Sequence, residues 1–179
     1  MQSLRMKLIA RLGQTALTLT LGLYFMLVVF GNITDYGTNF QFVKHVLSMD
    51  SLPSDPHVAW RAIKSEPLYH FAYALMIAWE AVAGLLCTFG GTRMASRLTS
   101  RSFEEAKTFA IAGMWTGMLL WSLAFITIGG EWFMMWESTT WNGELTALRM
   151  FMLNSMLLLF LYVVDLKNDD SNPKQEMTR

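Results

Sequence analysis

One carboxylate stands alone inside an apolar run, and it is the residue of this chain best suited to chemistry. Glu80 is the single charged residue between Leu68 and Gly91. At about 1.5 Å of rise per residue it lies roughly 18 Å along a helix counted from Leu68, near the middle of a segment long enough to cross a bilayer. A carboxylate at that depth is costly unless it is paired, hydrogen-bonded or protonated, so it is a functional candidate by default. The helical period brings Tyr69, Tyr73, Met76, Gly84 and Cys87 near its face. Its natural partners are on the last apolar run, where Arg149 starts roughly 6 Å deep by the same rise and Asn154 follows. Reaching Glu80 from Arg149 needs a bridge, from Asn154 or from a tyrosine hydroxyl. Two readings stay open: a proton-linked or ligand-binding site, and, more plainly, a hydrogen-bonded network that fixes helix register.

The second place with chemical potential is the stretch GGEWFMMWESTTWNGE, from Gly129 to Glu144. It has three glutamates, three tryptophans and no Lys or Arg. Indole rings favour the headgroup region, and short translocated loops are poor in basic residues, so this reads as an outer interfacial loop. Trp132, Trp136 and Trp141 form either an anchoring belt, which is the simpler reading, or the wall of a quinone or lipid-headgroup site with Glu131 or Arg149 supplying polarity. His45, His57 and His70 lie near Asp35, Asp50, Asp55 and Glu66, which raises metal binding. Their spacing fits no local ligand motif, and no metal site is expected. No histidine lies deep inside a span, so no b-type haem is expected either. Phosphate-binding loops, nucleophile elbows and zinc-protease helices are missing from the sequence, which lowers the case for an enzyme, and no cofactor is implied.

The elements that must position these residues are apolar rods. Of 179 residues 53% are hydrophobic and only 16% charged, with mean hydropathy +0.32, whereas a soluble domain carries about 25% charge. Zero formal net charge argues against nucleic acid as a partner. The lone Cys87 excludes an internal disulfide. Four runs of bilayer length appear, at about 12–33, 68–91, 109–129 and 145–164. The first is too long for a signal peptide and does not end in small residues. The prediction is an all-α integral membrane protein: an antiparallel bundle of four transmembrane helices over residues 1–166, with a helical extracytoplasmic loop at 34–66 and a disordered tail at 167–179.

Orientation follows from basic residues. Arg5, Lys7, Arg11, Arg93, Arg97, Arg101, Lys107, Lys167, Lys174 and Arg179 fall on one side; Lys44, Arg61, Lys64 and Arg149 belong to the other. Both termini are therefore expected in the cytoplasm, and the aromatic loops in the periplasm of an inner-membrane protein. In the first loop, Phe40, Val43, Val46 and Leu47 recur at helical spacing, giving one greasy face that suits a helix lying at the membrane surface. Asp55 is expected to cap a second short helix over Pro56–Glu66, and Asn142 with Glu144 to start the fourth span. Asn32-Ile-Thr34 has the form of a glycosylation sequon but lies too close to the first span to serve as one. Small residues that allow close helix contact stand at Thr18 and Gly22, at Ala74 and Ala78, and at Ala106, Ala110, Gly113 and Gly117.

Several of these residues form a recognisable pattern. Asn32–Tyr36 (NITDY), Asn39-Phe40, the run from Phe42 to Asp50 with Lys44 and His45, Trp60-Arg61-Ala62-Ile63, Glu80, Gly129–Phe133, Met135-Trp136 and Trp141-Asn142-Gly143 resemble the bacterial family of small integral membrane proteins catalogued as domain of unknown function 2165. The resemblance runs from about the first span to the fourth. It implies a multi-span membrane protein with no assigned activity, so it assigns no catalytic residue. It also implies that the two outer loops pack as one cap, with Asp35, Tyr36, Asn39, His45, Asp50, Trp60, Arg61, Trp132, Trp136, Trp141 and Asn142 as its distinctive residues. The leading functional expectation is a non-enzymatic accessory or binding subunit acting through this cap and Glu80. Its partners would be the lipid bilayer and a membrane protein or second copy. A small proton-coupled transporter and a quinone- or lipid-binding redox subunit are the alternatives.

Overall fold

The computed structural model describes residues 2–53 and 57–169, with side chains over 4–53 and 57–162. The described residues are helical throughout their ordered elements, with no strand among them. Helix α1 spans Gln2–Thr34, α2 Tyr36–Ser48, α3 Glu66–Ser96, α4 Phe103–Ala106, α5 Thr108–Leu119 and α6 Glu144–Asp169. Past Leu119 the α5 rod continues to Trp132 in a wider winding, a π-helix over Leu120–Trp132. Two three-residue 3₁₀ turns, Ala59–Arg61 and Met135–Glu137, complete the set.

Four of these rods are long and apolar enough to cross a membrane: Leu4–Thr34, Glu66–Ser96, Phe103–Trp132 and Glu144–Tyr162. At most 33% of the most apolar window of any of them is buried inside the protein. The rest turns large apolar side chains outward, among them Leu23, Leu27, Phe30, Phe71, Leu85, Phe89, Trp115, Leu153 and Leu159. Rods that are greasy on every face have water on none, so the surrounding medium is lipid. Several hydroxyls within the rods are satisfied by their own helices, whereas Thr88 Oγ1 is buried without a hydrogen-bond partner. Thr18 donates to Gln14 O at 2.8 Å, Thr116 to Ala112 O at 2.8 Å and Ser155 to Phe151 O at 2.7 Å.

The rods alternate in direction and pack in a ring: α1 against α3, α3 against α5, α5 and its π extension against α6, and α6 back to α1. Glycines set the spacing. A Cβ on Gly90 would lie 2.3 Å from Ala110 N, and one on Gly113 2.8 Å from Cys87 N. On the other side, Gly22 meets the Thr88 backbone and Gly84 meets Phe25 and Met26. Close backbone approach replaces the hydrophobic driving force that lipid removes. In the second span, however, the tight face is Ala83, Gly84, Cys87, Gly90 and Gly91; Ala74 and Ala78, expected as contact residues, are exposed.

At the cap end a bend at Asp35, the single residue between α1 and α2, lays α2 against α3. Its greasy face, Phe40, Val43 and Val46, is buried, and Met49 closes the helix in the left-handed conformation at φ 55°. The expected helix over Pro56–Glu66 does not form. Residues 54–56, including Asp55, lie outside the described residues, and 57–65 make only the turn at Ala59–Arg61. Backbone groups there are used elsewhere: Ile63 N–H donates to Leu47 O at 2.9 Å, and Ile63 O accepts the Tyr69 hydroxyl at 2.5 Å. Pro67 is instead absorbed in the first turn of α3, where its missing N–H costs nothing. At the fourth span Asn142 Oδ1 accepts the Glu144 N–H at 3.0 Å. Helix α6 runs through Asp169, further than the apolar run, because the first breaker is Pro173. The rest of the expected disordered tail, 170–179, lies outside the described residues.

Candidate functional site

Glu80 is 2% exposed, on the inner face of α3. Its Oε2 accepts a hydrogen bond from Asn32 Nδ2 at 2.7 Å, and the Asn32 carbonyl accepts one from the Tyr73 hydroxyl at 3.0 Å. Asn32 and Tyr73 are themselves buried. One asparagine of α1 is thus held at both its amide and its backbone by two residues of α3 spaced two turns apart. The depth differs from a simple count of helical rise. Asn32 lies two residues before the end of α1, so Glu80 sits just beneath the point where the chain leaves the first span. The reason is that the first turns of α3 stand beside α2, with Tyr69 and Tyr73 packed on Phe40 and Val43, not beside α1.

A string of contacts leads from this carboxyl to the cap surface. The Tyr73 ring meets Tyr36 at 4.7 Å, and the Tyr36 hydroxyl hydrogen-bonds His70 Nδ1 at 2.8 Å. His70, exposed, stacks on Phe40 with ring centroids 4.1 Å apart. The two tyrosines touch through their rings, so the donor–acceptor sequence has a gap between them.

The partners expected on the fourth span are elsewhere. Arg149 is exposed and makes no ion pair with Glu80 among the described residues. Asn154 is fully buried, but its amide donates to Met150 O of its own helix at 2.8 Å. Its Oδ1, unpartnered, faces Gly117 and stands close to Phe25. An outward-pointing guanidinium finds water or headgroups more readily than an apolar interior.

The two aromatic loops meet as one cap. Ser51 and Ser138 hydroxyls pair at 2.9 Å, and Phe133 and Met135 bury against Val46 with Leu47, Met49 and Ile63 around them. His45 Nδ1 contacts Asp50 Oδ1 at 2.7 Å while its ring stacks on Trp141 at 4.6 Å. Asn142 Nδ2 reaches Trp136 O at 3.3 Å, and Asn39 Nδ2 reaches Asp35 O at 3.5 Å. The Arg61 guanidinium lies 5.3 Å from the Trp132 ring centroid and 5.8 Å from that of Trp60. Asp35, Trp60, Glu131, Trp132 and Trp136 are exposed. No group of three His, Cys, Asp or Glu able to hold a metal gathers among the described residues.

A second polar cluster, at the opposite end, was not signalled by the sequence. Lys107 is 1% exposed; its Nζ meets Glu104 at 2.7 Å and reaches Leu161 O at 3.4 Å. Arg11 donates to Leu98 O and Ser100 O at 3.0 Å each, and its guanidinium lies 4.7 Å from the Phe103 ring centroid. Gln14 donates to Phe160 O and Leu161 O at 3.4 Å. Side chains that count only as topological charges in the sequence here tie the connection after α3 to the first and fourth spans. Asn32 is the other omission, visible in sequence only as a polar residue at the end of an apolar run.

An all-helical bundle with four lipid-facing rods, a buried carboxyl and an aromatic cap defines an integral membrane protein. The family model described as "Predicted small integral membrane protein (DUF2165)" matches residues 10–164. The chain belongs to that family. Neither a curated protein nor a solved structure matches it.

Proposed function

We propose that the chain is a non-enzymatic membrane protein that binds a ligand or protein partner through its cap, with Glu80 holding the cap in register on the spans. The observation that carries this reading is the Asn32–Glu80–Tyr73 network. It places a costly buried carboxyl just beneath the cap and links it by contact to the exposed His70 face. Trp60, Trp132 and Trp136, exposed elsewhere on the cap, supply the rigid, amphipathic anchors that binding surfaces use. The distribution of basic residues supports cytoplasmic termini, and with them a periplasmic cap on a protein of the bacterial inner membrane.

The experiment is affinity purification of the full chain from native membranes in mild detergent, beside Trp136→Ala and Glu80→Leu. Binding through the cap predicts a stoichiometric partner or ligand retained by the wild type, lost from Trp136→Ala and weakened by Glu80→Leu. A clean, ligand-free monomer from gently extracted native membranes refutes it. The transporter alternative needs a water-accessible route to Glu80, and proton uptake into vesicles that Glu80→Gln abolishes would replace the binding reading with it. A coloured preparation, or one carrying extractable quinone, would favour the redox alternative.

A further inference from the structure

Between α2, α3 and the π-wound half of the third span lies a groove of about 230 Å³. Its walls include Phe42, Leu47, Met76, Trp79, Phe125 and Phe133, and every residue lining it is apolar. The π winding builds one wall. Hydrogen bonds there run one residue further back than in an α-helix, as in Phe133 N to Ile128 O at 3.0 Å, so side chains four and five apart share a face. Leu120, Ala124, Phe125, Ile128 and Gly129 all reach the groove for that reason. The one indole nitrogen in the wall is spoken for, since Trp79 Nε1 donates to Thr116 O at 3.1 Å.

The size and chemistry select the occupant. The groove exceeds the roughly 150 Å³ that accepts one benzene ring and falls short of the roughly 300 Å³ at which sites for drug-sized ligands begin. It offers almost no polar surface to a carbonyl or hydroxyl. An alkyl chain fits it, and alkyl chains are the medium around the spans. Hydrocarbon contact alone gives no preference for the groove over the bilayer. A preference requires a polar contact at the rim.

Arg61 stands at that rim. Its Nη1 reaches the carbonyl of Trp132, which precedes the wall residue Phe133, at 3.5 Å; two residues on, Ile63 is bonded to the wall residue Leu47. The guanidinium is flanked by Trp60 and Trp132, it has no carboxylate partner among the described residues, and its Nε is buried without a hydrogen-bond partner. A guanidinium pairs bidentately with phosphate, and tryptophans favour the headgroup region of a bilayer.

We propose that this groove is a phospholipid site, with one acyl chain between α2, α3 and the π-wound segment and the phosphate on Arg61. The site rests on the cap-binding reading given above and names the ligand's chemical class: Arg61, Trp60 and Trp132 belong to the cap, while Glu80, Asn32 and Tyr73 are not among the wall residues.

Native mass spectrometry of the full chain, delipidated in mild detergent and titrated with dioleoylphosphatidylglycerol or with dioleoylglycerol, tests it. One phosphatidylglycerol should bind saturably, and dioleoylglycerol at least ten times more weakly. Arg61→Gln should weaken phosphatidylglycerol about tenfold. Ala124→Phe, which fills the groove, should abolish saturable binding, and Leu75→Trp at the more exposed α3 edge should do the same if the first variant does not fold. Trp136→Ala, outside the groove walls, should bind lipid as the wild type does, so a lost partner and a lost lipid are read separately. Equal binding of the two lipids, saturable binding that survives groove filling, or a quinone as the retained molecule would overturn the proposal.

Discussion

Replacing Gly90 by alanine should pry the second and third spans apart. The added Cβ would lie 2.3 Å from Ala110 N and 2.7 Å from Ala110 Cα, whereas apolar atoms rest about 3.5–4 Å apart. Backbone atoms have no rotamer to retreat to, so the rods must separate by about 1 Å. That movement also loosens the Gly113–Cys87 contact one turn away. Overpacking of this kind costs about 1–3 kcal/mol, offset by up to about 1 kcal/mol from alanine's better helix propensity. A net loss of about 1–2 kcal/mol should lower Tm by several degrees, at about 2–4 °C per kcal/mol for a chain of this size. Gly13→Ala is the matched control, because nothing lies within 4 Å of the Cβ it would add; its Tm should hold or rise. The assay is thermal unfolding in mild detergent, followed by the monodisperse fraction in size-exclusion chromatography. Equal melting of the two variants would refute the close-packing argument.

Three further outcomes follow from the described geometry. Asn32→Leu and Glu80→Leu should each destabilise by about 2 kcal/mol by leaving a buried partner unsatisfied, and the double variant should fall short of their sum by 1 kcal/mol or more on the order of measured couplings; Arg149→Ala with Glu80→Leu should instead add within about 0.5 kcal/mol, and coupling there would show the arginine reaching the carboxyl. Met134, at φ 52°, should gain about 1 kcal/mol in thermal stability when changed to glycine. Met49→Gly should gain less because the Met49 side chain packs against the Phe133 cluster, and a Met134→Gly loss would contradict the strain. In a Cys87→Ser background, a membrane-impermeant maleimide added to intact cells should label Glu137→Cys and spare Arg101→Cys; the reverse pattern would invert the topology.

The spans were readable in the sequence because lipid permits only one solution: about twenty apolar residues wound so that every backbone group is satisfied internally. The spacing of Phe40, Val43, Val46 and Leu47 likewise revealed α2. The π winding of 120–132 leaves no trace in the sequence, since those residues are apolar almost throughout and Ser122, Thr127 and Glu131 are too few to reveal a change of phase. Nothing in the sequence pairs Asn32 with Glu80, because helical rise along α3 does not show that its first turns stand beside α2. Arg149 was the obvious counter-charge by type, yet its long stem carries it outward. Lys107 looked like a simple topological charge; only the fold brings Glu104 and the Leu161 carbonyl to it. Of the cap, composition gave the location and the family resemblance its residues. Which ring stacks on which depended on the bend at Asp35.

The change of winding halfway along the third span also bears on how this chain tolerates insertions and deletions. A rod coiled α over its first half and π over its second stores surplus residues for the height it covers. Removing one residue between Leu120 and Trp132 should let that half tighten into ordinary coil without dragging either end out of the bilayer. The same deletion in α1 or α3 would swing every side chain beyond it by about 100° and unseat the packing.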